Sequence, residues 1–414
     1  MKTNLYKVVL GAMVMLTVFS ACRKEEFTPP PHGDKVPFSD TATHFIHEMV
    51  LASNNKLFAK AMQKSSMVNF FESQTNKARF TILMPTDEAM RAMGYTDAVI
   101  DAASQASMDS LIQYQTIATD ISEEELKSIT YTTRYMTLLQ NKNYLEQINP
   151  VNTNVSRYET YTYKQYLGFL QGNIIVNGWA TGNMVAPIYG KNGFVYTINK
   201  MNRYPTKTMM EVLETDPRFD MIGELLAYNK AYWSEITFDI YERSYWNPMM
   251  AVNGVVGRFG AFIPTNAALK ANGFQTVDDL KNRDLRTMPY LDWDTFEIFN
   301  GFATDSMLNY ALYGSMYLQN TGGWGIGGFT SSTLFSNDLV QPGINSYILN
   351  VKNMDAPARI IPFDFSTDAN GKTTVSLKKD KNVKAVITEP NIMTLQGPIQ
   401  GIDNILVPPG FQLH

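Results

Sequence analysis

The chain has 414 residues, which suggests two domains at the usual size of roughly 100–200 residues each. Hydrophobic residues make up 44% of the chain and aromatic residues 12%, which is enough for packed cores and excludes an intrinsically disordered protein. The net charge of −4 and the pI near 5.7, without a basic stripe, exclude a nucleic-acid-binding protein.

The N-terminus has the features of a secretory leader. Two lysines precede an apolar stretch over 8–19, which is short for a transmembrane helix. The residues "SAC" follow, and Cys22 is the only cysteine of the chain. This pattern resembles a bacterial lipobox, with Phe19 where that motif usually has Leu. It predicts a signal peptide at 1–21 and a lipidated Cys22; the alternative is an ordinary cleaved leader followed by an incidental cysteine.

Residues 22–37 form a predicted tether. The stretch "CRKEEF" resembles the export signal with which Bacteroidota-type bacteria place lipoproteins on the outer face of the outer membrane. In "TPPPHGD", three prolines favour an extended, semi-rigid spacer. The sequence therefore predicts a protein that is lipid-anchored in the outer membrane and exposed at the cell surface.

Helical patterns open two later regions of the chain. In the first, Ile46 and Val50 lie four residues apart on one predicted face. In the second, apolar residues over 209–226 recur at spacings of three and four. Asp216 and Pro217 predict a break between two short helices, because proline disfavours helix in the residue before it.

Each helical region leads into nearly the same phrase, "RFTILMPTDEAM" from position 79 and "RFGAFIPTNAAL" from position 258. The apolar residues predict strands at 80–84 and 259–263, each ended by a proline that cannot donate to a strand ladder. Thr86 and Thr265 follow the prolines and are predicted N-caps of helices.

Strand patterns dominate the later part of each region. "NIIVNG" predicts a short strand with an Asn-Gly turn, and the alternation over 375–383 predicts a hairpin that turns at "KDKN". Helices followed by strands in each unit predict an α+β class.

Two further blocks recur in the same order. "MDSLIQYQTI" contains Tyr114 and "TDSMLNYALY" contains Tyr310, while "NGFVYTINKMNRYP" and "QGPIQGIDNILVPP" align without a gap, with Ile198 against Ile402. The interval from the shared proline to the shared tyrosine is about 17 residues longer the second time. The pattern indicates a duplication with insertions.

The repeated phrases resemble the first signature of the fasciclin-like domain, and "GPIQGIDNILVPPG" resembles its closing segment. The resemblance covers 38–204, here called the first copy, and 206–410, the second copy. It implies two tandem fasciclin-like domains, each a wedge-like β-sandwich flanked by helices. It also implies a role in adhesion or extracellular binding, without a general catalytic site.

The middle motif of the family departs from its usual form. That motif is commonly a Tyr-His pair, whereas Gln115 and Ala311 follow the tyrosines here. The receptor-mediated adhesion linked to this region in animal members is therefore not expected to carry over. Tyr114 and Tyr310 are predicted to be core residues rather than ligand contacts.

The histidines are His32, His44, His47 and His414. Only His44 and His47 lie where a packed domain could use them, and their spacing could place two imidazoles on one helical face for a metal. No HExxH pattern or second cluster accompanies them. Solvated or capping histidines are therefore favoured, and neither a metal nor a cofactor is predicted.

A glycine-rich stretch, "GGWGIGGF" at 322–329, contains a formal G-x-G-x-x-G. A dinucleotide fingerprint needs a preceding strand and a following helix, and the neighbouring residues predict neither. Trp324, between glycines, is a candidate contact for a sugar ring or a partner surface. The alternative is a tryptophan that packs back into the core.

The stretch "YLDWDTFE" gathers Asp292, Asp294 and Glu297. Paired carboxylates at the right separation could hydrolyse glycosides, but aspartates are also favoured near the start of a helix. We expect a solvated helix end.

These patterns predict a non-enzymatic surface lipoprotein that captures a glycan or protein ligand, as in adhesion. The alternative is an accessory subunit of a TonB-dependent importer of glycans or peptides, beside the porin and its lid lipoprotein. A glycosidase or peptidase is disfavoured by the scarcity of histidine and cysteine.

Overall fold

The computed structural model of the chain describes residues 42–74, 77–148, 157–237, 249–258, 260–309, 312–313, 333–346, 348–349, 359–369, 371–407 and 410–413. Residues 44–414 form one compact unit. The elements of the first copy are α1 (Ile46–Ala52), α2 (Lys56–Lys64), α3 (Met67–Ser73), β1 (Phe80–Pro85), α4 (Asp87–Ala92), α5 (Asp97–Ala102), α6 (Gln105–Gln115), β2 (Thr116–Ile117), α7 (Glu123–Ser128), β3 (Thr133–Ile148), β4 (Arg157–Leu170), β5 (Asn173–Val176), β6 (Trp179–Asn183), β7 (Ile188–Gly190) and β8 (Gly193–Ile198).

The second copy repeats the order of helices followed by strands. Its elements are α8 (Met209–Thr215), α9 (Asp220–Thr237), β9 (Ala251–Val252), β10 (Val255–Val256), β11 (Gly260–Pro264), α10 (Asn266–Ala271), α11 (Val277–Asp284), a 3-10 helix (Leu285–Thr287), β12 (Tyr290–Asp292), β13 (Glu297–Phe299), α12 (Ala303–Asn309), β14 (Leu312–Tyr313), a second 3-10 helix (Ile344–Ser346), β15 (Ile348–Leu349), β16 (Arg359–Ile360), β17 (Phe363–Thr367), β18 (Thr373–Leu377), β19 (Lys384–Met393) and β20 (Pro398–Ile402).

The repeated phrase forms the central strand of each copy. Strand β1 pairs in parallel with β8 and antiparallel with β2, while β11 pairs in parallel with β20 and antiparallel with β14. The registers agree as well, since Pro85 lies opposite Ile198 and Pro264 opposite Ile402. The duplication seen in the sequence is therefore a duplication of topology.

The residue after the Pro-Thr pair has the same role in both copies. The side-chain oxygen Oδ1 of Asp87 accepts a hydrogen bond from the backbone N–H of Leu57 at 2.9 Å. Oδ1 of Asn266 likewise accepts the N–H of Met221 at 3.3 Å. Both amides belong to the second residue of a helix, where a backbone N–H has no partner within the helix. The phrase therefore joins the central strand to the start of an earlier helix.

The helices of each copy cover one side of its central strands and enclose a core between them. In the second copy, the strands also pack face to face, with Phe262 and Ile402 against Phe363, Val375 and Leu377. Long strands connect the two groups of strands, because β3 pairs with both β2 and β4 and β19 pairs with both β18 and β20. The architecture is α+β, as predicted.

The two copies meet along a seam of polar and aromatic contacts. The Tyr161 hydroxyl donates to the carbonyl of Leu395 at 2.7 Å. Nδ2 of Asn391 donates to the carbonyl of Gly178 at 3.0 Å. Strand β10 of the second copy also pairs in parallel with β3 of the first at Leu145. The boundary between copies at position 205 stays a prediction.

A buried ion pair lies within the first copy, next to the seam. Lys164 Nζ is 2.8 Å from Glu146 Oε2, and it lies 3.8 Å from the centre of the Tyr161 ring. Oε1 of Glu146 accepts the backbone N–H of Thr162 at 3.1 Å. Burial lowers the pKa of Lys164 to about 8 because the charged ammonium loses its hydration, although Glu146 opposes this shift.

The local predictions agree with the fold. Thr86 caps α4 by accepting the N–H of Ala89, and Thr265 caps α10 by accepting the N–H of Ala268, both at 3.2 Å. Helix α8 ends just before Asp216, so the break is confirmed. The turn over 379–382 joins β18 to β19 as a hairpin.

Candidate functional site

The strands β12 and β13 form a hairpin, here called the aromatic hairpin (290–299). Tyr290 pairs with Phe299, Leu291 with Ile298 and Asp292 with Glu297. Oδ1 of Asp292 accepts the backbone N–H groups of Asp294 at 2.8 Å and Thr295 at 3.2 Å. An aspartate that binds the backbone two residues on favours a turn over a helix, which fixes the reversal of the chain.

One face of the hairpin anchors it to the second copy. Leu291 is 7% exposed, and Ile298 packs against the core formed by α8, α9, β11 and their neighbours. The Tyr232 hydroxyl of α9 also donates to the carbonyl of Pro289 at 3.2 Å. Because side chains alternate between the faces of a strand, this anchorage directs the neighbouring residues outward.

The opposite face and the turn carry large aromatic side chains in solvent. Tyr290 is 51% exposed, Trp293 46%, Phe296 57% and Phe299 38%. The rings of Tyr290 and Phe299 stack with centres 5.3 Å apart, and those of Trp293 and Phe296 meet edge to face at 6.1 Å. Among the described residues, these are four of the five exposed aromatic side chains. Their concentration within ten positions makes the hairpin a candidate interaction surface, in contrast to apolar residues exposed singly.

The hairpin is also acidic. Asp292 and Glu297 lie directly opposite each other, and Asp294 lies in the turn between them. Like charges directly opposite on a sheet destabilise the pair. Within the described part of the chain, no lysine or arginine nitrogen lies within 4 Å of these three carboxylates. The surface therefore combines aromatic rings with carboxylates that have no ion-pair partner among the described residues.

The hairpin accounts for the extra residues of the second copy. In the first copy, α5 ends at Ala102 and α6 begins at Gln105. In the second copy, α11 ends at Asp284 and α12 begins at Ala303. The inserted segment therefore adds a new exposed element between two helices that both copies have.

The prediction of a helix end at 292–297 was wrong, because Asp292 binds the backbone of a turn and not that of a helix start. The signal that was missed is the position of apolar Leu291 between Tyr290 and Asp292, with Ile298 likewise following Glu297 after the turn. Such alternation is typical of strands with one buried face. The expectation of solvated acids at Asp294 and Glu297 is confirmed.

Comparison with known proteins identifies the first copy. Residues 53–201 match the family model of the Fasciclin domain. The chain carries a fasciclin domain. No curated protein matches the chain. Among solved structures, the chain is similar to the FAS1 domain pair of the insect cell adhesion molecule Fasciclin I, with 15% identity and a TM-score of 0.31 over 85% of this chain and 96% of that one.

The fasciclin domain buries the tyrosine of its middle motif. Tyr114 is 1% exposed, and its hydroxyl accepts a hydrogen bond from Nδ2 of Asn177 at 3.2 Å. Burial raises the pKa of Tyr114 well above its ordinary value. The prediction that Tyr114 is a core residue is confirmed, while Tyr310 lies outside the described residues.

The two histidines at the start of the first copy, His44 and His47, are not paired on one open face. His44 is exposed, with Nδ1 3.6 Å from a Glu48 oxygen. His47 is 3% exposed and stacks on Phe71 with ring centres 5.8 Å apart. The prediction of a solvated or capping residue was wrong for His47, whose pKa burial lowers. In the described ranges, no group of three or more His, Cys, Asp or Glu side chains is placed to hold a metal ion.

An open groove of about 440 Å³ lies between α8, α9 and α11, lined by Glu214, Asp220, Met221, Gly223, Glu224, Ala227 and Val277. Two of its three carboxylates have partners within the fold. Glu224 pairs with Lys281 at 2.8 Å, and Asp220 accepts a hydrogen bond from Nδ2 of Asn266. These contacts join α9 to α11 through Lys281 and to α10 through Asn266.

Cys22, His32, Trp324 and His414 lie outside the described residues, as do the leader and tether. Within the ranges that the structure describes, no helix has both the length and the apolar character needed to span a bilayer.

Proposed function

We propose that this protein is a non-enzymatic binding protein that holds an extracellular partner through the aromatic hairpin. The observation that supports this most directly is the exposure of Tyr290, Trp293, Phe296 and Phe299 on one anchored hairpin. Aromatic residues of this kind supply most of the binding free energy in protein interfaces when a partner buries them. Burial of Leu291 attaches the hairpin to the second copy, and an interface that is held in place before binding has a lower entropic cost of association.

Adhesion is the broader role within which we place this binding. The similar FAS1 domain pair belongs to a molecule described as an insect cell adhesion molecule, and a fasciclin domain spans 53–201 here. A fold by itself does not determine function. The proposal therefore depends on the hairpin, and the family supplies only the kind of role.

The location forms part of the same proposal. We place the protein on the outer face of the outer membrane, held by lipid on Cys22 and spaced from the bilayer by the proline-rich tether up to position 37. A diacylated cysteine supplies the two chains that stable anchoring requires. The main body would then present the hairpin to the surroundings of the cell.

The experiment compares partner recovery by three forms of the protein, purified from native outer membranes in mild detergent after crosslinking. Trp293→Ala/Phe296→Ala removes the two aromatic residues of the turn, and Tyr158→Ala removes an exposed aromatic side chain of the first copy as a matched control. A partner recovered with the natural protein and with Tyr158→Ala, but lost with the double variant, supports the proposal.

Two results would count against it. Equal recovery with the double variant would mean that binding does not use the hairpin. Stoichiometric recovery of a TonB-dependent porin and its lid lipoprotein, unaffected by the double variant, would favour the importer alternative. Labelling of the natural protein with a lipid precursor, absent in a Cys22→Ser variant, tests the anchor separately.

A further inference from the structure

We propose that the surface bound by the aromatic hairpin is a protein segment rich in arginine or lysine. This inference rests on the proposed function, because it names the chemistry of the partner that the hairpin holds. Rings and carboxylates lie together on the outer face of the hairpin, and the protein holds several of its own cations with the same two kinds of group.

The outer face alternates two kinds of group. Tyr290 and Phe299 form a stacked pair at one end, and Asp292 and Glu297 form the next cross-strand pair on the same side. Asp294 extends the negative charge into the turn. A cation placed there would relieve the repulsion between the opposed carboxylates and contact a ring face at the same time.

The same combination of groups holds cations elsewhere in the molecule. Lys281 Nζ lies 2.8 Å from Glu224 and 5.3 Å from the centre of the Tyr228 ring. Equivalent surroundings are found at Lys164, with Glu146 and Tyr161, and at Arg218, with Asp216 and Phe219. In the aromatic hairpin, the carboxylates of Asp292, Asp294 and Glu297 lie beside aromatic rings, and none of the three has a lysine or arginine nitrogen within 4 Å in the described part of the chain.

Charge also selects among the classes of partner. An anionic lipid surface would be repelled by the carboxylates at 292, 294 and 297. A neutral glycan would stack on the rings but would leave the repulsion between Asp292 and Glu297 in place. A basic protein segment satisfies both features, and its attraction would also steer association.

The experiment uses the full-length protein in non-ionic detergent, labelled with 5-fluorotryptophan and observed by fluorine NMR. The Trp293 resonance is assigned by its loss in Trp293→Phe. The probe is an octapeptide of alternating arginine and glycine, and its control replaces each arginine with citrulline, which keeps the shape and removes the charge.

We expect the arginine peptide to shift the Trp293 resonance at about tenfold lower concentration than the citrulline peptide, and we expect added salt to weaken it. Asp294→Asn/Glu297→Gln should remove most of this difference. Glu88→Gln/Glu124→Gln, which neutralises two exposed acids of the first copy, should leave it unchanged.

Equal shifts by both peptides, or an effect of the Glu88 and Glu124 variant as large as that of the hairpin variant, would overturn the inference. A shift with maltohexaose and none with the arginine peptide would do the same in favour of a glycan. If partner recovery requires Trp293 and Phe296 but is unchanged by Asp294→Asn/Glu297→Gln, the proposed function stands and this inference fails. If neither variant matters, both fail.

Discussion

Thr132 of the first copy donates two hydrogen bonds to one carboxylate oxygen of Asp338 in the second copy. Its backbone N–H lies 2.7 Å from Oδ1 of Asp338, and its hydroxyl lies 2.8 Å from the same atom. The other oxygen, Oδ2, accepts the backbone N–H of Phe335 at 2.7 Å. The buried Asp338 side chain therefore binds a loop of the second copy through Phe335 and the residue that precedes β3 of the first copy, Thr132.

Asp338→Ala should lower the free energy of unfolding by about 2–4 kcal/mol, because it leaves buried N–H groups without an acceptor. Urea denaturation measures this loss. Thr132→Ala removes the hydroxyl and the γ-methyl group but keeps the backbone N–H that binds Asp338. The double variant should cost less than the two single losses together, since the hydroxyl and the carboxylate share one interaction. Strictly additive losses would show that the hydrogen bond from the Thr132 hydroxyl to Asp338 contributes nothing.

The cost of Asp338→Ala should depend on pH. Burial raises the pKa of Asp338 to about 6 from an ordinary value of 3.8, although hydrogen bonds from Phe335 and Thr132 oppose the shift. The folded protein therefore holds this proton more tightly than the unfolded chain. Between about pH 4 and pH 6, the contribution of Asp338 to stability falls as the pH rises. The substitution should cost more at pH 4.5 than at pH 7, and the reverse order would contradict the shift.

Gly178 and Gly172 provide a matched pair for the seam. Both have a positive φ, +80° and +81°, which disfavours any side chain. A Cβ at 178 would lie 2.5 Å from Cγ of Asn391 in the second copy, whereas a Cβ at 172 would meet nothing within 4 Å. Gly172→Ala should cost about 1 kcal/mol, and Gly178→Ala about 1–3 kcal/mol more. Thermal unfolding of both variants checks the difference, and equal costs would mean that Asn391 moves aside freely.

Removing one partner of the ion pair between Lys164 and Glu146 should destabilise the fold, whereas replacing both residues with apolar ones should change its stability little. Lys164→Met leaves a buried carboxylate without its cation and should cost about 3–5 kcal/mol. Lys164→Met/Glu146→Leu removes both charges and should recover most of that loss, within about 1–2 kcal/mol of the natural protein, because Thr162 still loses its acceptor. A double variant as unstable as the single one would mean that the pair itself stabilises the fold.

The features that could be predicted from sequence are those set by neighbouring residues. Thr86 and Thr265 could be recognised as caps because a cap binds an amide three positions on. The partner of Asp87 could not, because Leu57 lies on an earlier helix and only the folded chain brings them together. The repeat places Asp87 and Asn266 at the same position of the phrase, but it does not show what either side chain binds.

The aromatic hairpin was mispredicted for a related reason. An aspartate such as Asp292 suits both the start of a helix and a tight turn, so its identity alone does not decide between them. The decision comes from the burial of Leu291 and from the packing of Ile298 against a core built largely by α8 and α9. His47 was mispredicted in the same way, because a distant ring, that of Phe71, covers it.

The division of the hairpin into an anchored face and a solvent face has a consequence for how such a protein can change over generations. Under the proposed function, substitutions at Trp293 or Phe296 would alter recognition while Leu291 and Ile298 continue to hold the segment in place. A lineage can therefore acquire a new partner through a few surface substitutions, and every variant along the way can still fold. The inserted segment gives the second copy freedom to diversify that the shorter connection of the first copy lacks.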